Sequence, residues 1–234
     1  MKFAIIAAGE GSRLAKEGVA KPKPLVELNG EAMIERLINV FMRQGAEEVV
    51  VIINDEMVET KEYMLRLKEQ YPISLVVKTT PSSMHSFHEI SPLLKGDKFC
   101  LTTVDTIFQE EEFRQFISAF MESEADGMMA VTSFVDDEKP LYIATDSNMR
   151  ITGFYDSPTS ECNYISGGIY CLNDSALHTL QHCMKIGLER MRNYQRQLIT
   201  DGLHLQAWPF QKIIDVDHAE DIAKAEEFLQ RKNV

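Results

Sequence analysis

"FAIIAAGEGSRL", residues 3–14, carries an apolar run straight into Gly9 and Gly11 and then sets down Arg13. A short apolar run closed by glycine is the pattern of a strand buried on both faces, and the residues after it read as a strand-to-helix turn. Glycines in such a turn let backbone N–H groups come close to an anion, so the turn is a candidate phosphate loop. Two phosphate loops are excluded by spacing: GxxxxGK[ST] is absent, and GxGxxG fails because Leu14 stands where the third glycine belongs. Further on, Lys23 lies between Pro22 and Pro24. A guanidinium that forks onto phosphate oxygens and an ammonium that acts as a point charge together suit a triphosphate. The prolines fix φ and favour extended neighbours, which predicts a stiff segment presenting Lys23. The competing readings are a tight turn without a ligand and a solvated Lys-Pro repeat.

Working outward, the pattern alternates between helical and extended periods, as a parallel sheet flanked by helices does. Residues 31–44 place Met33, Ile34, Leu37, Ile38 and Phe41 on one helical face, with Gly45 after them as a stop. Strands are predicted at 47–54, 73–78 and 98–104, the last ending at Asp105, with helices in "EMVETKEYMLRLKEQY" and "SFHEISPLLK". Beyond residue 126, "MMAVTSF", "LYIAT", "RITGFY" and "YISGGIYCL" are short extended segments set off by turn residues, which predicts mixed or antiparallel additions to the sheet. One helical stretch over 174–201, strands in "LHLQAW" and "KIIDV", and a closing amphipathic helix in "HAEDIAKAEEFLQRK" complete the reading.

The 234 residues suffice for one large α/β domain, and 44% hydrophobic with 26% charged residues is an ordinary globular composition. A formal net charge of -12 without a dense basic run argues against nucleic-acid binding. The opening apolar run is too short for a membrane span or a secretion signal. Cys100, Cys162, Cys171 and Cys183 show neither a CxxC pair nor a zinc-finger spacing, so a cytoplasmic location is expected. His178 and His182, four apart, lack the glutamate of a metalloprotease helix and read as a plain exposed face.

"AAGEGSRL" followed by "PKPLVEL", then Gly30 and "MI" at 33–34, resembles the signature of the sugar-nucleotide pyrophosphorylases. "LTTVDTIF", "YISGGIY" and "IIDVDHAEDIAKAEEFL" extend that resemblance over nearly the whole chain. It implies a three-layer α/β/α Rossmann-like (GT-A-like) fold with a mixed, mostly parallel sheet. Residues 1–234 would then form a single domain, with 1–125 as the nucleotide half and 126–234 as the acceptor-binding additions. The implied activity transfers a nucleotidyl group from an NTP to a sugar 1-phosphate, releasing pyrophosphate. Arg13 and Lys23 would be catalytic, and Ala8, Gly9, Gly11, Ser12, Ser82 and Ser83 would bind the nucleotide. Asp105 and Asp215 would hold Mg²⁺, which accepts one or two carboxylates beside phosphate oxygens. Asp217 precedes the closing helix and is read first as a cap, with the metal second.

On the acceptor side the resemblance assigns Asp156, Gly167 and Gly168, although a β-bulge explains the glycines equally well. Ser157 stands where many members carry lysine, which admits a second reading, a cytidylyltransferase acting on phosphocholine or a phosphonate. Neither the base nor the oligomeric state is legible. Two further alternatives are a glycosyltransferase that uses "DVD" at 215–217 as its metal motif and a nucleotide-sensing module without turnover.

Overall fold

A computed structural model of the chain describes residues 1–136 and 138–230. The first half runs β1 (Lys2–Ala7), α1 (Ser12–Lys16), a 3₁₀ turn (Lys23–Leu25), β2 (Glu27–Leu28), β3 (Glu31–Ala32), α2 (Met33–Arg43), β4 (Val49–Ile53), α3 (Val58–Lys68) and β5 (Ile73–Val77). It continues with α4 (Ser83–Ile90), β6 (Phe99–Thr103), β7 (Thr106–Ile107) and α5 (Glu110–Glu122). The second half adds β8 (Gly127–Thr132), β9 (Tyr142–Thr145), β10 (Ile151–Tyr155), β11 (Cys162–Leu172), α6 (Asp174–Lys185), α7 (Met191–Thr200), β12 (Leu205–Phe210), β13 (Ile214–Asp215) and α8 (Ala219–Gln230). The closing helix expected in the sequence runs on to Arg231 and Lys232, which lie outside the described residues.

Strand alternation explains the layering. In β1, Phe3, Ile5 and Ala7 face one apolar layer while Ala4 and Ile6 face the other, and β4 divides Val49, Val51 and Ile53 from Val50 and Ile52 in the same way. The first layer includes Met33, Ile34, Leu37, Ile38 and Phe41 of α2, the predicted face. The second includes Met84, Phe87 and Ile90 of α4 with residues of α6 and α7. A sheet apolar on both sides with helices on both faces is the three-layer architecture expected from the sequence.

The main sheet has nine strands among the described residues, in the order β10-β9-β11-β6-β1-β4-β5, with β8 paired to β11 and β12 to β8. β1 lies between β4 and β6 and is parallel to both, while β11 is antiparallel to β6, which makes the sheet mixed. The chain leaves β1 on one side for β4 and β5 and later returns on the other as β6. Loops at the carboxyl ends of β1 and β6 therefore diverge and open a crevice.

Two elements differ from the sequence reading. α5 had no assignment, although Phe113, Phe116, Ile117 and Phe120 form a buried helical face and Glu110, Glu111 and Glu112 occupy its first turn. The stretch 174–201 is two helices, because Gly187 adopts a left-handed φ of 71° that an α-helix does not accommodate. Among the described residues no helix is long and apolar enough to cross a membrane.

Candidate active site

The crevice at the ends of β1 and β6 is a cleft of about 400 Å³. Residues 8–13, Lys23, Asn54, residues 79–83, Ser86, Asp105 and Asp217 contribute to its lining.

The loop after β1 is shaped around the lysine. Gly11 has φ +62°, and a Cβ there would lie 2.8 Å from the Cβ of Lys23, so any side chain would be strained and would push the lysine away. A Cβ on Gly9 would meet nothing within 4 Å, which leaves that backbone open to the cleft. The Lys-Pro segment is turned rather than extended: Leu25 N–H donates to the Pro22 carbonyl at 2.8 Å, and Val26 N–H to that of Lys23 at 3.2 Å. Leu25 and Val26 are buried in the core and anchor the turn.

The Lys23 ammonium donates to Asp105 Oδ2 and, at 2.7 Å, to Asp217 Oδ1, while Arg13 Nη1 donates to Asp217 Oδ2 at 2.9 Å. Burial alone would push the Lys23 pKa down, but the two carboxylates outweigh it and hold the group up at about 12. For Asp217, burial works to raise the pKa, and Lys23 with Arg13 and His218 more than offsets it, so the carboxyl lies below its ordinary range. Four side chains from distant parts of the sequence thus form one alternating charge cluster.

This cluster differs from the expected pairing of Asp105 with Asp215. β13 ends at Asp215, which pairs with Thr106 and lines the two neighbouring clefts instead. Val216 then donates its N–H to the Asp105 carbonyl at 3.1 Å, and the next residue, Asp217, delivers its carboxylate beside Asp105. Nor does Asp217 cap α8. Asp221 Oδ2 accepts the N–H of His218 at 2.8 Å and of Asp217 at 3.2 Å, and Glu17 Oε2 accepts that of Ala219 at 2.7 Å.

One atom of the cluster tests whether a divalent cation suits it. Asp105 Oδ1 is buried and has no hydrogen-bond partner, an arrangement costly for a carboxylate unless a cation or donor completes it. A second carboxylate beside it and open space for phosphate oxygens match the hard-oxygen preference of Mg²⁺.

Ala8, Gly9, Gly11, Ser12, Arg13, Ser82 and Ser83 all line the cleft. Ser82 is the N-cap of α4, and its hydroxyl lies 2.8 Å from His85 Nδ1. Gly167 and Gly168 sit at a register shift of β11 and line the two neighbouring clefts. A Cβ on Gly167 would fall 2.3 Å from Ile213 Cδ1 and 3.1 Å from the Ala130 carbonyl oxygen, so close packing favours glycine there. Asp156 lies on the surface, held by Arg192 Nη1 at 2.6 Å and Arg196 Nη2 at 2.8 Å, and does not line the cleft where an acceptor was expected to meet it.

Asn54 was missed. It is buried, donates to the Ala8 carbonyl at 3.4 Å and accepts from Thr79 Oγ1 at 2.8 Å, tying together the loops after β1, β4 and β5. A polar residue directly after an all-apolar strand was the available signal.

A switch-point cleft with a glycine loop, two cations and facing carboxylates, on a sheet of this topology, defines a nucleotide-binding α/β transferase. The sequence profile described as nucleotidyl transferase matches residues 2–232, and the chain belongs to that family. The chain is 30% identical over 115 residues to the 2-aminoethylphosphonate cytidylyltransferase of Lancefieldella rimae, covering 47% of this chain and 45% of that protein. It is 24% identical over 249 residues to the choline-phosphate cytidylyltransferase of Streptococcus pneumoniae, covering 100% of both. It spans about half the length of the first of these, and likewise of a mannose-1-phosphate guanylyltransferase subunit from Dictyostelium discoideum, to which it is 26% identical. In fold it is similar to the inositol-1-phosphate CTP transferase of T. maritima, with a TM-score of 0.80 and 18% identity over 98% of both chains.

Proposed function

We propose that the protein joins the nucleotidyl group of an NTP to the phosphate of a small acceptor, a sugar 1-phosphate foremost, and releases pyrophosphate. The observation that carries this reading is the Lys23 bridge between Asp105 and Asp217 at the mouth of the glycine loop. Membership of the nucleotidyl transferase family supports it, as do relatives whose names all carry a phosphate or phosphonate acceptor.

An oxygen of the acceptor phosphate forms a bond to the α-phosphorus, and the bond from that phosphorus to the oxygen bridging to the β-phosphate breaks. The acceptor phosphate is already ionised at neutral pH, so the chain need supply no general base. Its task is positioning and charge. Backbone N–H groups from Ala8 to Gly11, with Ser12, cradle the triphosphate, and Arg13 faces its β and γ groups. Ser82 and Ser83 border the base and sugar. Lys23 meets charge that develops around the α-phosphate. Asp105 and Asp217 would hold Mg²⁺, which supplies charge neutralisation on the triphosphate when bound. Residues 1–125 give most of the nucleotide side, Asp217 reaches back to complete it, and the additions after residue 126 border the acceptor. A cytoplasmic setting, where NTPs abound, agrees with four unpaired thiols.

The test is a matrix of the four common NTPs against sugar 1-phosphates, phosphocholine and 2-aminoethylphosphonate, read as pyrophosphate release with and without Mg²⁺. Metal-dependent release from at least one pair is expected. Silence from every pair overturns the reading.

A further inference from the structure

A second cleft, about 290 Å³, adjoins the first and shares Ile6, Ser83 and Thr103 with it, so a molecule seated there would lie next to a nucleotide in the first. Its charge is one-sided. Among the described residues, Lys139, Arg190 and Arg192 line it against one carboxylate, Asp215.

The fold fixes the guanidinium of Arg192 and the backbone of Arg190. Arg192 donates from Nη1 to Asp156 at 2.6 Å and from Nη2 to the Lys139 carbonyl at 2.9 Å, and Asp156 is held in turn by Arg196. Asp156 thus braces the wall from outside. Arg190 opens α7 with a left-handed φ of 72°, while its carbonyl accepts the N–H of Asn193 at 3.1 Å. Glycine would take that conformation freely, whereas a long charged residue held there is strained, as residues at ligand sites often are.

The rest of the wall is uncharged, apolar at Ile6, Leu101, Leu141 and Met191 and polar elsewhere. Ser166 Oγ donates to Gln195 Oε1 at 3.2 Å and Gln195 Nε2 to the Tyr170 hydroxyl at 3.4 Å, a neutral chain whose remaining donor and acceptor capacity can meet hydroxyl groups. Tyr170 is the single aromatic among the described lining residues, and it is 7% exposed, with its hydroxyl engaged by Gln195. A quaternary ammonium is recognised by several aromatic faces, and a primary ammonium by an excess of carboxylate. The described lining residues supply neither.

We propose that the cleft is a charge filter in which Arg190, Arg192 and Lys139 admit the phosphate of an uncharged, polyhydroxylated acceptor and exclude acceptors that carry an ammonium group. This rests on the transfer reaction proposed above. It separates the chain from relatives named for choline phosphate and aminoethylphosphonate.

The test compares kcat/KM for glucose 1-phosphate and mannose 1-phosphate with that for phosphocholine and 2-aminoethylphosphonate, in the full chain and its Arg190→Glu and Arg190→Lys variants. The polyol phosphates should lead by about 10²-fold in the natural chain. Arg190→Glu should shrink that ratio about tenfold or more, and Arg190→Lys should largely keep it. Ammonium acceptors used as well as the polyol phosphates, or a ratio unmoved by Arg190→Glu, would overturn the filter while leaving the transferase reading standing. Absence of pyrophosphate from every pair overturns that reading and the filter with it.

Discussion

The Lys23 ammonium stands between two carboxylates that would otherwise face each other at close range in a half-buried cleft. Replacing it by methionine leaves Asp105 without its counter-charge and Asp217 with Arg13 in place of two cations, and Lys23→Met should lower stability by about 2 kcal/mol, reduced from a fully buried pair by the exposure of Asp217. Millimolar Mg²⁺ or Mn²⁺ should restore much of that loss in the variant and do little for the natural chain, as thermal unfolding will show; equal metal effects in the two would refute the Lys23 bridge. The cations were legible at this scale because order and residue type carry the signal: two glycines, an arginine, then a lysine between prolines. The choice between Asp215 and Asp217 was not, since it depends on where β13 stops and on one backbone hydrogen bond from Val216. Asn54 escaped for a related reason, because its role is to tie three loops that only the fold brings together.

Most elements could be read from periodicity, since β1, β4 and α2 each have an unambiguous period. α5 carried as clear a helical face in Phe113, Phe116, Ile117 and Phe120, a period legible in the sequence but given no assignment there. The break between α6 and α7 rests on Gly187, and a lone glycine within a helical pattern does not distinguish a weak turn of helix from an end. Asp126 shows how separate elements are clipped together. Ahead of β8, its carboxylate accepts from Ser175 Oγ at 3.1 Å and from His204 N–H at 2.9 Å, joining the starts of α6 and β12. Burial would raise its pKa, but the His204 N–H with Asn173 and Ser175 outweighs burial and lowers it. The folded state therefore binds this proton less readily than the unfolded chain. The stabilisation is complete above the unfolded value, about 4, and disappears as pH falls through the lower folded value. Asp126→Asn should cost about 1 kcal/mol at neutral pH, with the deficit narrowing in acid. Urea unfolding at a series of pH values measures this, and a deficit that widens in acid would refute it.

The whole molecule places its chemistry at a point no single segment contains. β1 and β6 are neighbours in the sheet but about a hundred residues apart in sequence, and the strand and helix near the chain's end return across their tips. Parallel neighbours on both sides of β1 make the crevice a consequence of topology, so a sequence that reads as alternating strands and helices already implies where a ligand binds. What it does not imply is how the later additions lie, and these determine which charges face the acceptor. The central claim is that Asp217, bridged through Lys23 to Asp105, completes the reacting centre. The most direct test is kcat/KM for pyrophosphate release by the natural chain and by Asp217→Asn, with circular dichroism to establish that both are folded. A loss of about 10²-fold or more is expected in the folded variant. Activity within a few-fold of the natural chain would contradict it.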